Sequence, residues 1–242
     1  MRIDKLLANV GYGSRKDVKK MLKTGVVKAD GEVIKDPKVH VNPDEQHVTV
    51  NGEKIEYKEF VYLIMNKPAG YLSATEDELQ ETVIDLLEME DAVCQPFPVG
   101  RLDKDTEGLL LLTNDGQLSH QLLSPKKHVP KTYFATILGS VTEKDAEAFK
   151  KGVELDDGYV TKPANLEILT SGNQSTIHIT ITEGKYHQVK RMFESVGKKV
   201  TYLKRISMGP IKLDEDELKV GEYRELTEDE IELLRQAQPI EL

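Results

Sequence analysis

Cysteine occurs once in these 242 residues, at Cys94. A lone cysteine excludes an intramolecular disulfide and a Cys-rich zinc site, and it fits a reducing compartment. Long apolar runs are also missing. No stretch approaches the ~18–20 uninterrupted apolar residues that a membrane helix needs. The opening "MRIDKLLANVGYG" has no long apolar core and no small-residue cleavage site. No signal peptide and no membrane partner are therefore expected, and the cytoplasm is the expected location. Internal repeats and low-complexity tracts are absent as well. What remains, 38% apolar and 31% charged, suits a globular chain with room for one large domain or a small one plus a medium one.

The net charge of −9 argues mildly against a nucleic-acid partner when taken alone. Its distribution argues the other way. Residues 1–28 carry eight Lys/Arg against two Asp, a net +6, which leaves −15 on residues 29–242. A basic head on an acidic body is more informative than the sum.

The head reads as two short helices followed by short strands. "IDKLLANVG" places Ile3, Leu6, Leu7 and Val10 at helical spacing and ends at Gly11. "SRKDVKKMLKTG" begins with Ser14 as an N-cap and stops at Gly25, with Val18, Met21 and Leu22 as its buried stripe. Arg15, Lys16, Lys19 and Lys23 share the opposite face. Strands are expected at "VVKA", "EVI" and "HVTV", with turns at Asp30-Gly31 and Asn51-Gly52. The charged stretch 52–59, "GEKIEYKE", reads as a linker, so the domains are expected at 1–57 and 58–242. The second domain reads as strands at "FVYLIMNKP", "LLLLT", "KTYFATILG", "STIHITITEG", "VTYLKRISMGPIKL" and "EYRELT". Helices are expected at "TVIDLLEM", "TEKDAEAFKKG", "HQVKRMFESVG" and "EDEIELLRQA", the last opened by a Thr227/Glu230 capping box. Asn114-Asp115-Gly116 reads as a turn. The fold class is α+β, built around a largely antiparallel sheet.

One stretch resists a purely structural reading. In "GRLDKDTEGLLLLTNDG" (100–116), an Arg, two Asp and a Glu stand within eight residues, directly before four leucines. Charge beside a buried run is costly unless paired, and catalysis is one common reason to accept the cost. Asp103 and Asp105 are each either loop carboxylates paired with Arg101 or Lys104, or centres of chemistry. An extended backbone would put Arg101 and Asp103 on one face and bury Leu102 on the other.

Two resemblances cover nearly the whole chain. Residues 1 to about 57, with the R-x-D-K-x-L start and the G-x-x-S-R middle, resemble the S4 RNA-binding domain. That resemblance implies docking on structured RNA through Arg2, Lys5, Ser14, Arg15, Lys19, Lys23 and Lys28, contacts that position without reading sequence. "GRLDKDTEGL" resembles the catalytic motif of pseudouridine synthases. "LIMNKPAGYLSA" (63–74), "KTYFA" (131–135), "EGKYHQVKRMF" (183–193) and the closing "RISMGPIKLDEDELKVGEYREL" match the same family in order. With the S4 head, the chain resembles the RsuA-type branch, which modifies uridine in small-subunit (16S) ribosomal RNA; the sibling branches acting on large-subunit (23S) RNA are the alternative.

The resemblance implies an isomerase that needs no cofactor and no metal. Asp103 corresponds to the essential aspartate, acting either as a nucleophile at the sugar or as the group that handles charge and a proton during glycosidic cleavage. Tyr133 would pack on the uracil and serve in proton transfer, although a strand tyrosine read alone is a core residue. Lys190 matches the residue that ion-pairs with the aspartate, and its neighbour Arg191 competes for that place. Arg101, Lys131, His187, Gln188 and Arg191 would contact the substrate, and a positive groove is expected around Arg101, Lys131, Lys185, Lys190 and Arg191. A uridine in folded RNA must leave its stack to reach the site, so base flipping is implied. The implied partner is ribosomal RNA or an assembling small subunit, met by a monomer. Two other classes remain on sequence: a ribosome-binding protein that has lost the chemistry, and a glycosylase that uses Asp103 to release a base.

Overall fold

The computed structural model describes residues 1–124 and 127–237, and the chain divides into two compact units. The first comprises Met1–Val61 with Leu87–Pro96. It contains α1 (Ile3–Asn9), α2 (Arg15–Lys23), α3 (Met89–Ala92) and a four-stranded antiparallel sheet. The strands are β1 (Val27–Ala29), β2 (Glu32–Val33), β3 (Val48–Val50) and β4 (Glu53–Lys54), in the order β2-β1-β3-β4. Ile3, Leu6 and Leu7 of α1 and Val18 and Leu22 of α2 are fully buried against β1 and β3 residues. Ser14 caps α2 as its pattern predicts, and Asp17 completes a capping box, bonding the Ser14 N–H at 3.2 Å. The lone acid of the basic helix is thus a cap as well as a countercharge.

The expected linker is not one. Glu53 and Lys54 pair with Val50 and Thr49 of β3, and Ile55 and Tyr57 pack on the first unit's core. The Asn51-Gly52 turn folds the chain back, so the alternation in "EKIEY" half-buries two side chains. The expected domain boundary also changes in one respect, because Leu87–Pro96, on the far side of residue 57, packs into the first unit.

The second unit, Tyr62–Leu86 and Phe97–Leu242, is built on a nine-stranded sheet. Its strands are β5 (Tyr62–Lys67), β6 (Phe97–Pro98), β7 (Glu107–Thr113), β8 (Lys131–Leu138), β9 (Asn165–Thr170), β10 (Gln174–Ile181), β11 (Lys199–Met208), β12 (Ile211–Lys212) and β13 (Tyr223–Glu225). The main path runs β13-β5-β7-β11-β8-β10-β9, with β6 on β7 and β12 on β11. The helices are α4 (Gly116–Leu123), α5 (Glu143–Lys151), α6 (Gln188–Ser195) and α7 (Glu228–Arg235). Every pairing is antiparallel except β7 with β11. The sheet is thus largely antiparallel and the class is α+β, as the patterning predicts.

Three local expectations change. "TVIDLLEM" forms only a 3₁₀ turn over Val83–Leu86, followed by the short α3. Asn114-Asp115-Gly116 does not merely turn: the Asp115 carboxylate accepts from the N–H groups of Gln117 and Leu118, both at 3.0 Å, and starts α4. Leu118 and Leu122 of that helix pack on Leu109 and Leu111. The edge strand β9 has no counterpart in the sequence reading. Its residues are mostly exposed, so its pattern carries little alternation. Among the described residues no helix is long and apolar enough to cross a membrane.

The parallel contact between β7 and β11 fixes the start of β7, where the charged stretch ends. Arg205 lies opposite Gly108 on one side and Tyr133 on the other. Gly108 has φ +102°, and a Cβ there would lie 2.2 Å from the Arg205 carbonyl oxygen and 2.8 Å from its nitrogen. Only glycine allows this approach. Gly108→Ala should therefore lose about 3 kcal/mol of stability through overpacking and backbone strain. A urea unfolding midpoint equal to wild type would refute the close-approach account.

Candidate active site

The site forms where the loop before β7 meets the start of β8, the end of β10 and the first turn of α6. Its walls are Arg101, Leu102, Asp103, Thr106, Tyr133, Ile181, Gly184, Lys185, His187, Gln188, Val189 and Leu203. The strand registers explain the convergence, because Tyr133 faces Ile179 on β10 and Arg205 on β11. Leu102 is buried while Arg101 is exposed and Asp103 half-buried, the alternation expected of extended backbone.

The Asp103 carboxylate meets Lys190, not Arg101. Lys190 Nζ lies 3.0 Å from Asp103 Oδ2 and 2.7 Å from Asp105 Oδ1. Burial would lower the Lys190 pKa, but hydrogen bonds to Asp105 and Asp103 outweigh it and hold the ammonium above the ordinary lysine range. Asp105 is also partly desolvated, yet Lys190 keeps its carboxyl below the usual carboxylate range. Its side chain is 73% exposed, against 26% for Asp103, so Asp105 faces solvent while Asp103 faces the pocket. The competition between Lys190 and Arg191 resolves in favour of Lys190.

Arg191 points elsewhere. Its Nε donates to Asp156 Oδ1 at 2.5 Å, its Nη2 pairs with Asp157 Oδ2 at 2.7 Å, and its Nη1 donates to the Tyr186 carbonyl at 3.3 Å. Consecutive helical residues diverge by about 100°, and the two aspartates of the 156–157 turn fix the outcome. Lys131 is also absent from the pocket wall. It is buried, donates to the Val129 carbonyl at 2.9 Å, and has its pKa pushed down to about 8 by burial and by Arg205. The expected positive groove is therefore weaker than its sequence suggests. Lys190 and Arg191 each face two carboxylates, and Lys131 is enclosed. Arg101 and Lys185 remain as cations on the wall.

His187 and Gln188 do line the pocket. The His187 ring lies 3.6 Å from Asp103 Oδ1 through Nε2. It occupies the N-cap position of α6 at φ +50° without a side-chain cap bond. Gln188 is buried and fully engaged: its Oε1 accepts from the Lys185 N–H at 2.8 Å, and its Nε2 donates to Glu183 Oε1 at 2.8 Å. Glu183 also accepts from the Tyr159 hydroxyl at 2.7 Å and the Lys162 N–H at 2.9 Å. Gln188 thus shapes the wall and has little left to offer a ligand. Tyr133 is buried at the wall, and among the described residues its hydroxyl forms no hydrogen bond. The Thr106 hydroxyl is likewise unpartnered among them.

What holds the loop is not visible in the sequence. Lys67, at the end of β5 in "NKPAG", is fully buried, and its ammonium donates to the carbonyls of Pro68, Asp103, Lys104 and Thr106 at 2.9–3.3 Å. Burial pushes its pKa down to about 8, opposed by Asp105, Glu107 and Asp103. The Thr106 N–H closes the turn onto the Asp103 carbonyl at 3.0 Å, and the Gly70 N–H donates to Lys104 O at 2.7 Å. Ser73 both donates to and accepts from the Leu102 backbone, at 3.0 and 3.1 Å. "NKPAGYLSA" is thus the cradle of "GRLDKDT". In sequence Lys67 stands only at the end of the strand "FVYLIMNKP", inside a segment that resembles the family.

The RNA-docking residues expected in the first unit divide in two. Lys5, Arg15, Lys19, Lys23 and Lys28 are exposed and make no ion pair among the described residues, as are Lys16 and Lys20. Arg2 is instead bidentate to the buried Asp4, at 3.0 and 2.7 Å, and the Ser14 hydroxyl is committed to Asp17. No group of three or more His, Cys, Asp or Glu among the described residues could hold a metal ion.

A buried sheet that presents a carboxylate paired to a lysine, beside a pocket tyrosine, defines a class that sequence comparison identifies. The family model described as RNA pseudouridylate synthase matches residues 61–195, and the S4 domain model matches residues 1–46. The chain belongs to the RNA pseudouridine synthase family and is an RNA-modifying isomerase with an S4 domain. It is 59% identical to an uncharacterized RNA pseudouridine synthase of Bacillus subtilis, over 98% of this chain and all of that one. It is 41% identical to ribosomal small subunit pseudouridine synthase A of Escherichia coli K12, over 96% of this chain and 98% of that one. A crystal structure of a pseudouridylate synthase aligns at 38% identity, with TM-score 0.68, over 97% of this chain and 99% of that one.

Lys67→Met keeps the volume but orphans four carbonyls of the loop. Unfolding in urea should show a loss of about 3 kcal/mol, and turnover should fall further than RNA affinity. Wild-type stability with full turnover would show that the loop does not need the cradle.

Proposed function

We propose that this chain isomerises one uridine of small-subunit ribosomal RNA to pseudouridine, with Asp103 as the catalytic carboxylate. The observation that carries the reading is the Asp103 carboxylate, held 3.0 Å from Lys190 on a wall shared with Tyr133. The likeness to the Escherichia coli small-subunit enzyme along nearly the full length of both chains supports the choice of RNA. Large-subunit RNA is the alternative target.

The reaction breaks the N1–C1′ bond, turns the base, and joins C5 to C1′. The C5 proton is lost and N1 gains one, so no oxidant or co-reactant is consumed. Asp103 either bonds to C1′ as the base departs or stabilises the positive charge that develops there. Lys190 fixes the carboxylate's direction, and the Lys67-bound turn fixes its backbone. Tyr133 covers the uracil ring, with its unpartnered hydroxyl available for proton transfer. Ile181, Val189 and Leu203 wall the pocket with apolar surface, which keeps the detached base from being replaced by water. The uridine enters by flipping out of its stack, at a cost of a few kcal/mol.

Residues 1–57 serve as the RNA-docking domain through Lys5, Arg15, Lys19, Lys23 and Lys28, and residues 58–242 carry the chemistry. Phosphate contacts of this kind position RNA and weaken steeply with salt. The enzyme works as a monomer in the cytoplasm on the rRNA or on an assembling small subunit.

The test uses ribosomal RNA, naked and as assembly particles, from cells lacking the protein. Carbodiimide adducts and primer-extension stops then report pseudouridine after treatment with wild type or Asp103→Asn. One new stop in small-subunit RNA with wild type, and none with Asp103→Asn at equal RNA binding, is the expected result. An equal stop with Asp103→Asn would remove Asp103 from the chemistry, and a stop only in large-subunit RNA would move the target.

A further inference from the structure

Next to the catalytic wall stands an aromatic pair that the chemistry above does not use. Tyr186 is 72% exposed, and its ring stacks on His187 with centroids 3.8 Å apart and planes 19° from parallel. Its chain neighbours Lys185 and His187 both line the pocket. An exposed tyrosine has no folding reason to be held in place, yet this one is held at both ends. His187 adopts the left-handed conformation, φ +50°, which a non-glycine residue seldom occupies. Helix capping does not explain it, because the ring makes no cap bond to α6. On the other side, the Tyr186 carbonyl accepts from Arg191 Nη1, and the same guanidinium is anchored by Asp156 and Asp157. The backbone is braced and the ring is open to solvent.

We propose that Tyr186, backed by His187, is a stacking platform for the nucleobase adjacent to the flipped uridine. This rests on the uridine-isomerising reading and adds the nucleotide that flanks the target. Flipping leaves the neighbouring base without one stacking partner, and a planar ring fixed beside the pocket mouth replaces it. Stacking of this kind tolerates any base, since every base has a π face. The platform therefore lowers the cost of flipping without reading sequence.

The test is a protein-by-RNA cycle on a hairpin cut from the rRNA around the mapped uridine, made intact or with an abasic nucleotide on either side. Wild type, Tyr186→Phe and Tyr186→Leu are compared by kcat/KM and by equilibrium Kd. Base–aromatic stacking predicts a roughly ten-fold loss for Tyr186→Leu on intact RNA and little loss for Tyr186→Phe. For one of the two neighbours, the abasic substitution should cost wild type a similar factor and cost Tyr186→Leu nothing further. Losses that simply multiply for both neighbours, or no loss for Tyr186→Leu, would overturn the proposal. The Kd arm separates it from the catalytic reading: turnover retained by Asp103→Asn would sink that reading while leaving the binding cycle intact.

Discussion

Everything at this site depends on one ammonium, that of Lys190, lying between two carboxylates of a single tight loop. Its value is not mainly stability. Exposed ion pairs contribute about 0–1 kcal/mol, and the Asp105 half of this one is largely solvated. Partly buried pairs recover little more than the desolvation they cost. What the arrangement supplies is direction. Asp103 turns toward the pocket and Asp105 toward water, and the turn between them is pinned from beneath by Lys67. Two lysines therefore define the loop, one through its side chains and one through its carbonyls.

That economy changes how the charge pattern is understood. The acidic body does not surround a strongly positive cleft, because Lys190 and Arg191 are each matched by two aspartates and Lys131 is enclosed. Long-range attraction for a polyanion is concentrated in residues 1–28, where seven cations are exposed. In the proposed function, phosphate binding and bond chemistry would fall to different stretches of sequence. On that reading the pocket's charges serve geometry while the basic head supplies the attraction.

Most of the fold was legible because it follows simple periodicities and caps. Ser14, Thr142 and Thr227 open helices where their spacing says they should, and β8 and β10 alternate cleanly. The failures have physical causes. Asp115 reads as a turn residue, and an aspartate that satisfies backbone N–H groups looks the same in sequence whether a turn or a helix follows. Strand β9 is an edge with few buried positions, so its pattern is weak. At the site, motif order singles out Asp103 and Tyr133, which share one pocket wall, but not Lys67. A buried lysine is recognised only by the carbonyls that converge on it, and three of the four come from 36–39 residues away in the chain. Lys190 and Arg191 are adjacent, and only the folded 156–157 turn decides which one reaches Asp103.

The central claim is that Lys190 holds Asp103 in its reactive direction. Single-turnover pseudouridine formation by Lys190→Met and Lys190→Arg, with RNA affinity measured in parallel, tests it most directly. The account predicts that Lys190→Met loses at least about a hundred-fold in rate, the scale of a misplaced reacting group. RNA affinity should stay near wild type, and Lys190→Arg should recover much of the rate. Near-wild-type turnover by Lys190→Met would contradict it.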